Sequence, residues 1–254
     1  MRHITIIGGG IGGLCLAQGL KKANLNFSIY ERNDTAESWL EGYRIHVRPI
    51  GTRSLYSCLP GHVWMDFLAS TAAPTDGFGF LTEDMKELVH IEEELMTGIG
   101  KDKPLQEGQY NVSRKLLREV LISGIEENIH YGKTFLRYEI LQDQKVKVHF
   151  EDGTTTLTDL LIGADGANSK VRQQLLPYAR RVETNAVAIG GKMYLDNDTE
   201  QWLPHYISSR MNVVMPKRKY FFLMLCTGRK RRIIYSGHLS PTQMNFSRRL
   251  QKKT

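Results

Sequence analysis

Between residues 216 and 254 there is not one Asp or Glu, yet eleven Lys or Arg fall there: Lys217, Arg218, Lys219, Arg229, Lys230, Arg231, Arg232, Arg248, Arg249, Lys252 and Lys253. The formal charge of +7 is therefore a property of the C-terminal segment; residues 1–215 hold 23 basic against 27 acidic residues, a net of −4. The aromatics nearby, Tyr220, Phe221, Phe222 and Tyr235, fall in apolar strand-like runs. They do not interleave with the basic residues as a nucleic-acid surface would have them, so no nucleic acid is expected as a partner. Cysteine is sparse and odd in number: Cys15, Cys58 and Cys226 lie far apart, which excludes a disulfide framework and fits a reducing compartment. No run approaches the ~20 apolar residues of a membrane helix. A strand pattern starts at residue 3 with no basic-then-apolar leader before it, so a cytoplasmic protein is expected. The histidines, His3, His62, His90 and His130 among them, show no ligand spacing, so no metal is expected. No Gly-x-Ser-x-Gly elbow is present, which removes the commonest hydrolase signal.

Glycine, by contrast, is concentrated. Five of the six positions from Gly8 to Gly13 are glycine, directly behind the apolar run Ile4–Ile7. Glycine loses more conformational freedom on folding than any other residue, so bare backbone must be needed there. Leu14, Leu16, Ala17 and Leu20 follow at helical spacing, and Phe27–Tyr30 reads as a second buried strand. Gly8-x-Gly10-x-x-Gly13 thus sits after a strand and before a helix, the context that gives this spacing its meaning. One glycine permits the tight turn, one lets backbone approach a pyrophosphate, and one lets helix and strand pack closely. The helix N-terminus turns free N–H groups and a positive dipole end toward the phosphates.

An acid ends the second strand. The Glu31 carboxylate can accept from both ribose hydroxyls of an adenosine and would repel a 2′-phosphate. The expected ligand is FAD or NAD, not NADP. Arg32 reads equally well as a surface residue or an adenine-stacking group. Residues 32–60, with Gly42, Pro49, Gly51 and Pro60, read as loop-rich, and a helix is expected near 62–72. Ser113 precedes the amphipathic stripe of Leu116, Leu117, Val120 and Leu121. Val146, Val148 and Phe150 alternate into an Asp152-Gly153 turn, and residues 154–157 run back. The run Leu160–Ile162 leads into Gly163-Ala164-Asp165-Gly166, with a helix beginning near Asn168 or Ser169. Asp165 then ends a strand at the carboxyl edge of a sheet, where open α/β folds bind ligands, and Gly166 allows close approach. Beyond 180 the runs Ala186–Ile189, Val213-Val214, Tyr220–Leu225 and Ile233–Tyr235 read as strands.

The segment from Leu161 to Arg172 closely resembles the Asp-Gly motif of the class A flavoprotein monooxygenases, the para-hydroxybenzoate hydroxylase type. The opening glycine loop is similar too, as are Gly42-Tyr43-Arg44-Ile45-His46 and Ser113-Arg114-Lys115-Leu116-Leu117-Arg118. The resemblance covers roughly residues 1–175. It selects FAD over NAD and implies a cofactor site of Gly8, Gly10, Gly13, Glu31, Arg32, Arg44, Arg114, Asp165 and Gly166. In it, Arg114 pairs with a pyrophosphate or ribityl oxygen, and Arg44 touches flavin or pyrophosphate; as plain sequence, both also read as solvated arginines. The implied chemistry is an FAD-dependent oxidoreductase of the NAD(P)H-dependent aromatic-hydroxylase type. It uses O2 and hydroxylates a small aromatic or otherwise activated organic substrate through a flavin C4a-hydroperoxide. No catalytic acid or base is identified. Only one glycine fingerprint exists, so NADH or NADPH would visit a second, non-Rossmann surface.

The implied fold is α/β: a three-layer Rossmann-type FAD-binding domain of residues 1–75 and 105–178. Residues 76–104 and 179–254 would form an incomplete, mostly antiparallel substrate-domain sheet with a basic tail. Chains of this family continue into a second flavin motif of the form Gly-Asp-Ala-Ala-His. None follows Ser236-Gly237, so the sequence is expected to be a truncated member. Two other readings stay open: a non-catalytic remnant that still binds a dinucleotide, and a basic interaction protein on a Rossmann scaffold.

Overall fold

Alternation within the first strand sets the architecture. Successive side chains of a strand point to opposite faces, and in β1 (His3–Ile7) Ile4 and Ile6 pack on one side while Ile7 packs on the other. The structure is a computed structural model that describes residues 2–35, 44–72, 76–92, 104–182, 187–194, 201, 203–215, 222–227 and 232–239. The chain divides into two compact units, one of Met1–Thr71 and Gln106–Arg180, the other of Ala72–Leu105 and Arg181–Thr254.

In the first unit, α1 (Ile11–Lys22) and β2 (Asn26–Tyr30) complete a βαβ start, and β1 pairs in parallel with β2, Ile6 opposite Ile29. Next come β3 (Arg44–Val47), α2 (Pro49–Cys58) and α3 (Gly61–Ser70). After the excursion into the second unit, β6 (Tyr110–Ser113) pairs antiparallel with β3 and leads into α4 (Arg114–Ile122). The unit closes with β7 (Ile129–His130), β8 (Phe135–Ile140), β9 (Val146–Phe150), β10 (Thr155–Thr158), β11 (Leu160–Gly163) and α5 (Lys170–Leu175).

Four parallel strands in the order β11-β1-β2-β7 form the middle layer. Helices cover one face, where Leu14, Phe67, Leu117 and Leu121 bury against Ile6, Phe27 and Ile29. The antiparallel sheet β10-β9-β8 serves the other face: Phe135, Val148 and Phe150 pack on Ile7. Tyr30 stacks on His130 and on Phe150, with ring centroids 4.8 and 4.6 Å apart. Gln18, fully buried in α1, donates from Nε2 to the carbonyls of Leu121 (2.8 Å) and Ser123 (2.9 Å), which ties the open end of α4 to α1.

The second unit holds β4 (Phe78–Thr82), β5 (Glu87–Ile91), β12 (Val187–Tyr194), α6 (His205–Ser209), β13 (Met211–Met215), β14 (Phe222–Thr227) and β15 (Arg232–Leu239). Its six-stranded sheet runs β12-β15-β14-β13-β4-β5, antiparallel except where β13 meets β4. Leu81, Ile207 and Val214 form its core. Arg210 is buried there, paired with Glu87 and donating to Asn212 Oδ1 at 3.2 Å.

The mixed α/β, three-layer class and the mostly antiparallel second sheet match the sequence expectation. One reading is corrected. Residues 49–58 are helical rather than loop, because Pro49 occupies the first helical turn, where its missing N–H costs nothing. Gly42 and Tyr43, and all the basic residues of 216–254 except Arg232, lie outside the described residues. No described helix is long and apolar enough to cross a membrane.

Val148 has no exposed surface, whereas Leu157 on the neighbouring strand is 54% exposed. Urea unfolding should show Val148→Ala costing about 1.5–3 kcal/mol and Leu157→Ala staying within about 0.5 kcal/mol. Equal effects would contradict the third layer.

Candidate functional site

The two motifs, some 150 residues apart in sequence, meet at the carboxyl edge of the parallel sheet. Ile7 lies opposite Gly163 in adjacent parallel strands, and Ala164 N donates to Ile7 O at 2.7 Å. Gly8 follows at φ +109°, in the left-handed region. A Cβ there would lie 2.4 Å from the Ala164 carbonyl oxygen and 2.9 Å from Asp165 Cα. At Gly13 a Cβ would lie 2.1 Å from Gly8 O, so the helix crosses the strand with no room for a side chain. Gly10, the N-cap of α1, differs: its Cβ would meet nothing within 4 Å. Two of the three fingerprint glycines thus serve internal packing, and the third opens outward at a helix N-terminus.

The loop is held at Gly9 from both sides. Gly9 N donates to Glu31 Oε2 at 2.7 Å, and Gly9 O accepts from Arg118 Nε at 3.0 Å. The other oxygen of Glu31 accepts from Asn33 N at 3.0 Å, and the side chain is buried. Arg118 is 4% exposed and also bonds to Tyr131. Burial pulls its pKa down from the ordinary value, while Tyr131 and Glu31 act to restore it and Arg114 adds to the lowering. Burial likewise raises the Tyr131 pKa.

Of the other residues singled out by sequence, Arg114 is the first residue of α4 and is exposed. Ser113 occupies its N-cap without a side-chain capping bond. Arg44 begins β3 directly opposite Ser113, so both arginines sit at the start of α4. Arg32 is exposed beside Glu31. Asp165 Oδ2 accepts from Lys170 N at 2.7 Å, capping α5 together with Ser169, whose Oγ accepts from Arg172 N. Asp165 Oδ1 is buried without a hydrogen-bond partner. Gly166 follows at φ +80°, with open space where a Cβ would stand.

Sequence reasoning chose Arg114 on this helix and passed over Arg118 and Tyr131. A signal was present: Arg118 lies between Leu117 and Leu121 on the buried stripe, where an arginine is rare unless paired.

Comparison with known proteins adds identity to this geometry. Residues 6–69 match the family model of the NAD(P)-binding Rossmann-like domain. The dual O-methyltransferase/FAD-dependent monooxygenase elcB of Phaeosphaeria nodorum is 34% identical over 192 residues, 74% of this chain and 20% of that protein. The 6-methylsalicylate 1-monooxygenase atA of Aspergillus terreus is 32% identical over 221 residues, 76% of this chain and 44% of that one. Among solved structures, one assigned as an FAD-containing monooxygenase from Photorhabdus luminescens superposes with a TM-score of 0.80 at 30% identity. It covers 96% of this chain and 64% of its own.

The homologues of this chain are FAD-dependent monooxygenases.

The chain spans less than half the length of these curated monooxygenases. The match to the Rossmann-like family model includes the glycine loop and Glu31.

Arg118→Met should keep the volume but remove the hydrogen bond to Gly9 O and leave Glu31 buried without the Arg118 charge. The expected loss is roughly 2–4 kcal/mol by urea unfolding. Arg114→Met, at an exposed site, should change stability by less than about 0.5 kcal/mol.

Proposed function

We propose that the first unit binds FAD and that the chain takes part in the NAD(P)H-dependent hydroxylation of a small aromatic substrate with O2. One observation carries this reading. Gly8 is consumed by packing against Ala164 and Asp165 and Gly13 by packing against Gly8, while Gly10 opens onto free space at the N-terminus of α1. That is a cradle for a pyrophosphate, since free N–H groups and the helix dipole favour an anion where no side chain obstructs it.

The residues present fit the cofactor. Glu31 uses one acceptor position on each oxygen for backbone and keeps others for ribose hydroxyls. The start of α4 supplies two cations, Arg44 and Arg114, suited to phosphate oxygens. Asp165 Oδ1, buried without a partner, gains one if a ribityl or ribose hydroxyl donates to it. Bound flavin would supply the redox chemistry, taking hydride from NAD(P)H and activating O2. The protein's part is to hold the dinucleotide, orient it and limit water. The name of the Aspergillus terreus relative supports a phenolic substrate of salicylate size.

Titration of FAD, read by quenching of its fluorescence, tests the site. Gly10→Val should leave the unfolding temperature within a few degrees of wild type, because its Cβ points into open space, yet lower FAD affinity more than tenfold. Glu31→Ala should weaken binding by about 1–3 kcal/mol. Equal affinity in all three proteins would refute the cradle.

The same carboxylate should discriminate between nucleotides. ADP-ribose should displace FAD at least tenfold better than its 2′-phosphorylated analogue, because a phosphate beside Glu31 is repelled. The reverse preference would rule out Glu31 as the ribose acceptor.

A further inference from the structure

Two of the three cysteines meet where α2 ends on α1. Cys15 lies in the second turn of α1, one turn before Gly19, and Cys58 is the last residue of α2. The surrounding contacts hold Cys58, at the end of α2, against α1. Gly19, one turn beyond Cys15, leaves room for the second thiol: a Cβ there would stand 3.2 Å from Cys58 Sγ. Lys22 Nζ donates to the carbonyls of Ser57 (2.9 Å) and Leu59 (3.3 Å), the residues flanking Cys58, and so pins the end of α2 on α1. Both thiols are free and half-buried. Cys226, the remaining cysteine, lies in β14 of the other unit.

We propose that Cys15 and Cys58 form a reversible redox staple, closed to a disulfide by a peroxide and reopened by a dithiol. Burial and the neighbouring Cys58 push the Cys15 thiol up to about 12, which disfavours Cys15 as the first nucleophile, and the first attack is assigned to Cys58. It attacks a peroxide oxygen, the O–O bond breaks, and the departing hydroxide takes a proton to leave as water. Cys58 is then a sulfenic acid. Cys15 gives up its proton and attacks that sulfur; the S–S bond forms, the S–O bond breaks, and a second water leaves. The two thiols surrender two electrons and one hydrogen peroxide becomes two waters. The closed staple joins α2 to the helix whose first turn continues the glycine loop. The inference stands on the packing of Cys58 against α1 one turn from Cys15 and does not depend on the FAD reading.

The test is treatment of the reduced, full-length protein with one equivalent of hydrogen peroxide, followed by thiol counting and non-reducing peptide mass spectrometry. Two of three thiols should disappear, a Cys15–Cys58 linked peptide should appear, and Cys226 should stay alkylatable. The unfolding temperature should rise by a few degrees and fall back on addition of dithiothreitol. In Cys15→Ser, Cys58 should accumulate as a sulfenic acid trapped by dimedone; in Cys58→Ser, Cys15 should remain reduced. Should either variant fail to fold, the wild-type peptide map decides. Three results overturn the proposal: no thiol loss, a cross-link through Cys226, or oxidation of Cys58 beyond sulfenic acid while Cys15 stays free.

Discussion

The peptide of Gly9 is the point on which the candidate site depends. Its N–H is taken by Glu31 and its carbonyl by Arg118, so one residue without a side chain is fixed from opposite ends by two buried, opposite charges. Neither charge could remain buried alone, since an isolated ion in the interior costs several kcal/mol. They attract each other electrostatically, and each holds Gly9 in the loop between β1 and α1. A loop held this way keeps its N–H groups aimed before any anion arrives, and a ligand need not supply the ordering free energy.

The clamp works because of the layer order. β1 divides its side chains between the helical layer and the antiparallel sheet, which fixes it inside the parallel sheet with β2 and β11 as neighbours. Glu31 follows directly on the last residue of β2, and β11 ends beside Gly8. Chain segments from positions 8–13, 31 and 164–166 therefore meet at one sheet edge, although long insertions separate them. Arg118 arrives from α4, whose angle onto α1 is set by Gln18 gripping its last carbonyls. The site is thus a consequence of helix packing as well as of the glycine spacing.

Some of this was legible in the sequence and some was not, for identifiable reasons. β1, α1 and β2 declare themselves because Ile4–Ile7 and Phe27–Tyr30 are apolar runs divided by glycines and a helical stripe. The hairpin of β9 and β10 shows strict alternation around Asp152-Gly153. By contrast, α2 was hidden by Pro49 and Gly51, which signal a break unless the proline is recognised as the first helical position. The strand β8, Phe135–Ile140, carries a register shift near Phe135 that spoils its period. Glu31 was found by its place at a strand end, but its grip on Gly9 was not, because a hydrogen bond over 22 residues leaves no pattern. Arg118 was missed because it shares its helix with an arginine at a more familiar position.

The most direct measurement is a crystal structure of the full chain with FAD. The account predicts pyrophosphate oxygens within about 3 Å of the backbone N–H groups at the start of α1, and ribose hydroxyls on Glu31. It also predicts the two hydrogen bonds of Gly9 unchanged from those seen here. FAD bound away from Gly10, or bound only after Glu31 and Arg118 release Gly9, would contradict it.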